Sequence, residues 1–401
     1  MKFFYNLKNL IFILLGFSIP ISVAFTNVLI VVFIFVWIFE GSFLKKFSYL
    51  KSLYWVRSLV ALVFYYFIAL LYGEYHEDST YVIQRICLLL FFIPLASSKL
   101  EQLTYHYAIL TFLLTNLLAA LLSIAINNDI INPIHDYISI ISSDSSISAF
   151  LKYNYHNILL SFSSLLAFAL FTKSQSKYSS LYLVLVIIYS LSIFSEAGRA
   201  GQLTFNLFFI FYMIYFLNKR VLYSVAIICF LIAINFSSYK NSGVYKYRLD
   251  NLKHIVENNG QKKNPKAVEK DIRYLFVGES LKLIKQKPIF GHGTGSFSSV
   301  FKENVLSNYD FIKHKTPHNN FLYIFFEIGL LGLIIFLSLF YYQVKYLIKD
   351  SSNIIHLICL PVFYFFLMLF DSYLFVFTIT IFYIFMFTIY SGYKINNKKF
   401  F

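Results

Sequence analysis

Apolar runs long enough to cross a bilayer recur from one end of this chain to the other, and that recurrence limits its possible folds more than any other feature. A helix needs about 20 mostly apolar residues to span the hydrocarbon. Runs of this kind fall at 9–24, 25–40, 53–73, 83–98, 104–126, 155–172, 179–196, 201–217, 221–236, 320–344, 353–371 and 373–391. Composition agrees, with 59% apolar and only 13% charged residues. A soluble chain this poor in polar groups could not cover its own surface. An ordinary cytosolic enzyme, a disordered protein and a disulfide scaffold are therefore excluded. The expected fold is an all-α polytopic membrane protein of about twelve transmembrane helices.

The first two runs form one apolar stretch broken at Pro20. They read either as two short helices or as one long tilted helix. Lys2 and Lys8 before an apolar run resemble the start of a signal peptide, but no small-residue cleavage site follows. An uncleaved helix is the expectation.

Charge assigns sides. With the amino terminus in the cytoplasm, the inner connections hold Lys45, Lys46 and Lys51, then Lys99, Lys173, Lys177, Lys219, Arg220, Lys345 and Lys349. The tail adds Lys394, Lys398 and Lys399, while the outer connections hold Glu74, Glu77, Asp78, Asp129, Asp136 and Asp144. This alternation obeys the positive-inside rule and puts both termini in the cytoplasm. The chain then divides into spans one to nine (1–236), a long outer loop (237–317), and spans ten to twelve with the tail (318–401).

Two features depart from the rule. Arg199 sits in the short outer connection Glu196-Ala-Gly-Arg-Ala-Gly201, and the loop 237–317 carries 15 Lys or Arg against 7 Asp or Glu. Long loops translocate regardless of charge. The loop's basic surplus fits either a solvated surface or attraction to anionic lipid or substrate. The formal charge of the whole chain, +15, is thus read against the membrane rather than nucleic acid. Within the loop, Val268, Ile272, Leu275, Phe276, Leu283 and Ile284 recur at helical spacing, which predicts an amphipathic helix over 267–287 at the membrane surface. Pro288 ends it, and the turn Gly291-His-Gly-Thr-Gly-Ser-Phe297 follows.

Few residues here can carry chemistry. Arg199, flanked by Gly198 and Gly201, has a planar fork suited to phosphate, although an arginine there could also snorkel to headgroups. Arg273 lies on the loop helix, where a surface role is the plainer reading. His318 heads Pro317-His-Asn-Asn320 at the entry to the tenth span. Imidazole suits proton abstraction near neutral pH, and Asn319 or Asn320 can cap the helix or orient the ring. Equally, His318 could be a boundary residue with polar caps. Glu327 is an acid inside a span, nine residues on and so on roughly the opposite helix face, while Gly329 and Gly332 would allow close helix contact. The turn of Gly291, Gly293 and Gly295 lacks the signature of a nucleotide loop. His292, His314 and His318 lack metal-ligand spacing, and Cys87, Cys229 and Cys359 read as small buried hydrophobes, so no metal or cofactor is expected.

Together these patterns resemble the O-antigen ligase and O-antigen polymerase family of bacterial membrane proteins. The likeness rests on Gly198-Arg-Ala-Gly201, on a long outer loop with Arg273 ahead of Lys287-Pro-Ile-Phe-Gly-His-Gly-Thr-Gly-Ser-Phe297, and on His318-Asn319 followed by Gly329-x-x-Gly332. The resemblance implies a metal-independent, inverting glycosyltransferase of the all-helical, GT-C-like membrane class. It implies a donor glycan on undecaprenyl diphosphate and, for a ligase, the lipid A core as acceptor at the periplasmic face of the inner membrane. His318 would then be the general base, and Arg199 and Arg273 would stabilise the diphosphate. Asn319, Gly291, Gly293, Gly295 and Glu327 would help to hold substrate. A polymerase extending the lipid-linked glycan shares this chemistry. A lipid-linked glycan transporter is the alternative of another class, although the chain lacks the two related halves typical of one.

Overall fold

A computed structural model describes residues 2–73, 77–133, 139–141, 144–173, 178–243, 245–247, 249–250, 272–305, 316–349 and 354–395. Helix dominates, and each of the twelve apolar runs carries helix: α1 (Lys2–Ser18), α2 (Val23–Phe39), α4 (Tyr54–Ile68), α5 and α6 (Ser79–Cys87 and Phe92–Ser97, joined by a 3-10 turn), α7 (Gln102–Asn127), α8 (Tyr153–Lys173), α9 (Ser180–Ser195), α10 (Arg199–Leu217), α11 (Val221–Asn241), α14 (Asn320–Ile348), α15 (Ile354–Leu367) and α16 (Phe377–Ile395). Shorter helices include α3 (Phe43–Ser52), α12 (Ile272–Ile284) and α13 (Phe297–Val305). Among the described residues six helices are long and apolar enough to cross a membrane, or seven if the bent pair α2–α3 is one span. A count of twelve therefore needs several helices shorter than the usual spanning length. The stretch around Pro20 forms two helices rather than one, separated by the turn Ile19–Ser22.

The chain forms two compact units. One comprises Met1–Lys8, Ile30–Gln102 and Gln261–Phe400; the other comprises Asn9–Leu29 and Leu103–Gly260. The break at 260/261 falls inside the segment expected as one outer loop, within a stretch outside the described residues.

In the second unit α8 is the most deeply packed span. Its buried positions include His156, Asn157, Ser161, Ser163 and Ser164. Small polar residues let helices approach closely and bond across the contact. Ser161 Oγ lies 3.2 Å from Thr204 Oγ1 of α10, and Tyr189 of α9 donates to the Leu113 carbonyl of α7 at 2.7 Å. Phe168, Phe205, Phe209 and Tyr212 fill the apolar remainder, with Phe205 and Phe209 centred 4.5 Å apart. After α7 comes a short antiparallel pair, β1 (Ser139–Ile141) with β2 (Asp144–Ser146), in which Ser139 faces Ser146. Asn127 holds the strand exit by bonding both backbone groups of Ile147.

In the first unit α14 packs on α4, where the Ser338 and Ser58 hydroxyls meet at 2.9 Å. Tyr364 of α15 stacks on Tyr383 of α16 at 4.1 Å, and the Tyr383 hydroxyl donates to Gln343 of α14. Lys8 is wholly buried and paired with Glu40, which Lys46 also reaches at 3.0 Å. A buried ammonium needs such a partner. This pairing puts the start of α1, the end of α2 and the turn into α3 together.

Candidate active site

The tenth expected span begins where its sequence predicts a cap. Asn319 has extended backbone, its Oδ1 accepts from the Leu322 N–H at 3.0 Å, and its Nδ2 donates to the Leu369 carbonyl. Asn320 is buried. Its N–H donates to the Met368 carbonyl at 2.9 Å and its Oδ1 accepts from Leu374 N–H at 3.0 Å. Both asparagines thus fasten the connection between α15 and α16 to the start of α14.

That fastening brings Asp371 to His318. Nδ1 of His318 lies 2.9 Å from Oδ1 of Asp371, which also accepts from the Ser372 N–H at 2.7 Å. With the proton on Nδ1, the basic nitrogen of a neutral imidazole is Nε2. The two side chains are 24% and 26% exposed, so an incoming molecule can reach them. His318 also holds φ at +55°, a left-handed backbone that costs a non-glycine residue about 1–3 kcal/mol and is found most often at functional sites. Asp371 escaped the sequence reading. Its only signal was an acid at the short connection between the last two spans.

Phe276 of α12 is fully buried with its ring 5.8 Å from the His318 ring. Of the predicted apolar positions Phe276, Leu283 and Ile284 are buried, with Ser280 beside them; Val268 and the side chains of Ile272 and Leu275 lie outside what is described. Arg273 lies on this helix three residues before Phe276, so the backbone that carries it runs beside the histidine.

The glycine turn has an interior position. Gly291, Gly293 and Gly295 all hold positive φ, and a Cβ on each would meet backbone at 2.5 Å or closer: Glu327 O, Gly73 Cα and Ser79 N respectively. The close partner of Gly329 is this same turn, rather than another helix. Gly329 breaks α14 with φ +66°, and the segment 288–293 enters the break. Leu330 and Leu331 N–H donate to the carbonyls of Pro288 and Ile289, while His292 and Gly293 N–H donate to those of Phe326 and Glu327. The inserted loop therefore supplies backbone partners that the broken helix has lost. Glu327, wholly buried, accepts from the Gly295 N–H at 3.0 Å. Thr294 caps the end of α4 through the Tyr66 and Ala69 carbonyls. His292 stacks on Phe326 and bonds the Leu283 carbonyl.

In the second unit Arg199 is exposed and opens α10. Its flanking glycines meet protein: a Cβ at Gly198 or Gly201 would come within 2.3 or 2.6 Å of Asn157. Beneath the turn lies a buried polar group absent from the sequence reading. Glu196 Oε1 is 3.4 Å from His156 Nε2 and accepts from Ser192 Oγ at 3.3 Å. An ionisable His inside an apolar run was the available signal.

Among the described residues no three His, Cys, Asp or Glu side chains gather as a metal-ligand set; His314 lies outside those residues. The apolar helices mark a multi-pass membrane protein, and the reachable His–Asp pair at the start of one of them is its candidate site. Residues 163–337, which include Arg199, Arg273 and His318, match the family profile described as O-antigen ligase. Over that stretch the chain is similar to the O-antigen ligase family. A comparison with curated proteins finds no match.

Proposed function

We propose that the chain is a membrane glycosyltransferase that moves a glycan from a polyprenyl diphosphate carrier to an acceptor hydroxyl outside the cytoplasmic membrane. The family implies a lipid-linked glycan and a lipid acceptor in general. Our reading is an O-antigen ligase with undecaprenyl diphosphate as carrier and the lipid A core as acceptor. The observation that carries an enzymatic role is the hydrogen bond from His318 to Asp371, because it builds a base with a set tautomer at a reachable helix mouth.

In the reaction His318 Nε2 takes the acceptor proton as the acceptor oxygen bonds the anomeric carbon. The bond from that carbon to the phosphate oxygen breaks, and the diphosphate leaves with the electron pair. Attack opposite the leaving group inverts the anomeric centre. Asp371 holds the imidazole and stabilises the imidazolium that forms. Charge growing on the diphosphate calls for fixed cations, and Arg199 and Arg273 are the residues assigned to it. Glu327 and the glycines at 291, 293 and 295 are assigned to shaping the first unit rather than to touching substrate, since they are buried against backbone.

A deletion strain examined by lipopolysaccharide gel tests this reading. Loss of all O-glycan with accumulation of carrier-linked polymer is the expected result. A core bearing a single repeat unit would identify a polymerase instead. Movement of labelled carrier across proteoliposomes without bond formation would identify a transporter.

A further inference from the structure

The turn that carries Arg199 is fastened by groups to which the reaction gives no role. Only Glu196, Ala197 and Gly198 join α9 to α10, so whatever holds them sets the first residue of α10. The Glu196 side chain is tied backward, to His156 of α8 and Ser192 of α9. Its carbonyl is tied forward, accepting from Gln202 Nε2 of α10 at 2.7 Å. Ile193 O receives both Gln202 Nε2 and Asn157 Nδ2, each at 3.2 Å. Ser123 of α7 joins at 3.4 Å from His156 Nε2 and is itself bonded by the Ala149 N–H. Groups from α7, α8, α9 and α10 therefore converge beneath one three-residue connection.

This convergence has a cost. His156 and Glu196 are 1% and 0% exposed, and His156 Nδ1, Glu196 Oε2 and Asn157 Oδ1 have no hydrogen-bond partner among the described residues. Unsatisfied buried polar atoms destabilise a fold. Apolar side chains of similar size would pack these helices at lower cost. What the polar set adds is direction, because each bond fixes the turn at a defined point.

We propose that Glu196, with His156 as its buried counterpart, is a positioning residue that fixes the α9–α10 turn and so aims Arg199. The inference rests on the reading of Arg199 as a cation for the leaving diphosphate. Glu196 itself touches no reacting atom.

The test uses the full chain in proteoliposomes with a polyprenyl-diphosphate glycan donor and an acceptor. Glu196→Ala is expected to lower kcat/KM by up to about 10²-fold, the scale of a small misplacement of a binding group. Glu196→Gln, of the same shape, keeps most of the activity. Combined with Arg199→Ala, Glu196→Ala adds nothing further, because both changes remove one contribution. Losses that multiply in the double variant, or wild-type transfer by Glu196→Ala, would overturn the proposal. A second readout stands apart from catalysis: a nitroxide on Arg199→Cys, in a chain whose three native cysteines are replaced. Its mobility is expected to rise with Glu196→Ala, and an unchanged spectrum overturns the fastening. Should Arg199→Ala transfer at the wild-type rate while the label loosens, the fastening stands and the role given to Arg199 fails.

Discussion

His318 takes its ring contact from a residue distant in sequence. The carboxylate of Asp371, 53 positions on, orients its ring, and that carboxylate is in turn held by the Ser372 N–H. If the pair acts as one base, removing either member removes the same contribution. His318→Ala is expected to slow glycan transfer by about 10²–10⁴-fold, the usual worth of a positioned base. Asp371→Asn should fall with it, and the double variant should be no slower than the worse single one, as measured by labelled-glycan transfer in proteoliposomes. Multiplying losses would separate the two residues. The histidine is legible as a candidate in the sequence, because a polar cluster at a span boundary is a local pattern. Asp371 is not, because one acid in a short connection looks like any other, and only the fold brings it back to residue 318. His156 and Glu196 escaped for the same reason: α7, α8 and α9 must pack before either has a partner.

At the level of elements, the twelve apolar runs were legible because hydrophobicity is written residue by residue. The break in α14 was not, since its apolar pattern runs on without interruption through Gly329. Gly329→Ala would force a side chain into a left-handed backbone and against the Ile289 carbonyl, 2.2 Å from the new Cβ. A loss of at least about 1–3 kcal/mol follows from the backbone alone, and thermal unfolding in detergent should show it as a lower Tm.

For the whole molecule, the charge pattern and the packing address different questions. Lysines distributed by side assign an orientation, and packing alone has no outside. A cysteine placed within 251–270, in a chain stripped of its three native ones, should react with a membrane-impermeant maleimide in intact spheroplasts. One placed beside Lys219 should react only after lysis. The reverse result would invert the topology, and with it the face proposed for His318.

The stitched break at Gly329 bears on how the chain enters the bilayer. A continuous helix can partition into lipid with its backbone already satisfied, but α14 cannot. Before residues 288–293 settle, the carbonyls of Phe326 and Glu327 and the N–H groups of Leu330 and Leu331 lack the partners they have in the finished fold. Each unsatisfied group costs several kcal/mol in hydrocarbon. Membrane insertion of this span and docking of the preceding loop are thus coupled, and a cut or insertion between Pro288 and Gly293 should destabilise the helix whose break that segment fills.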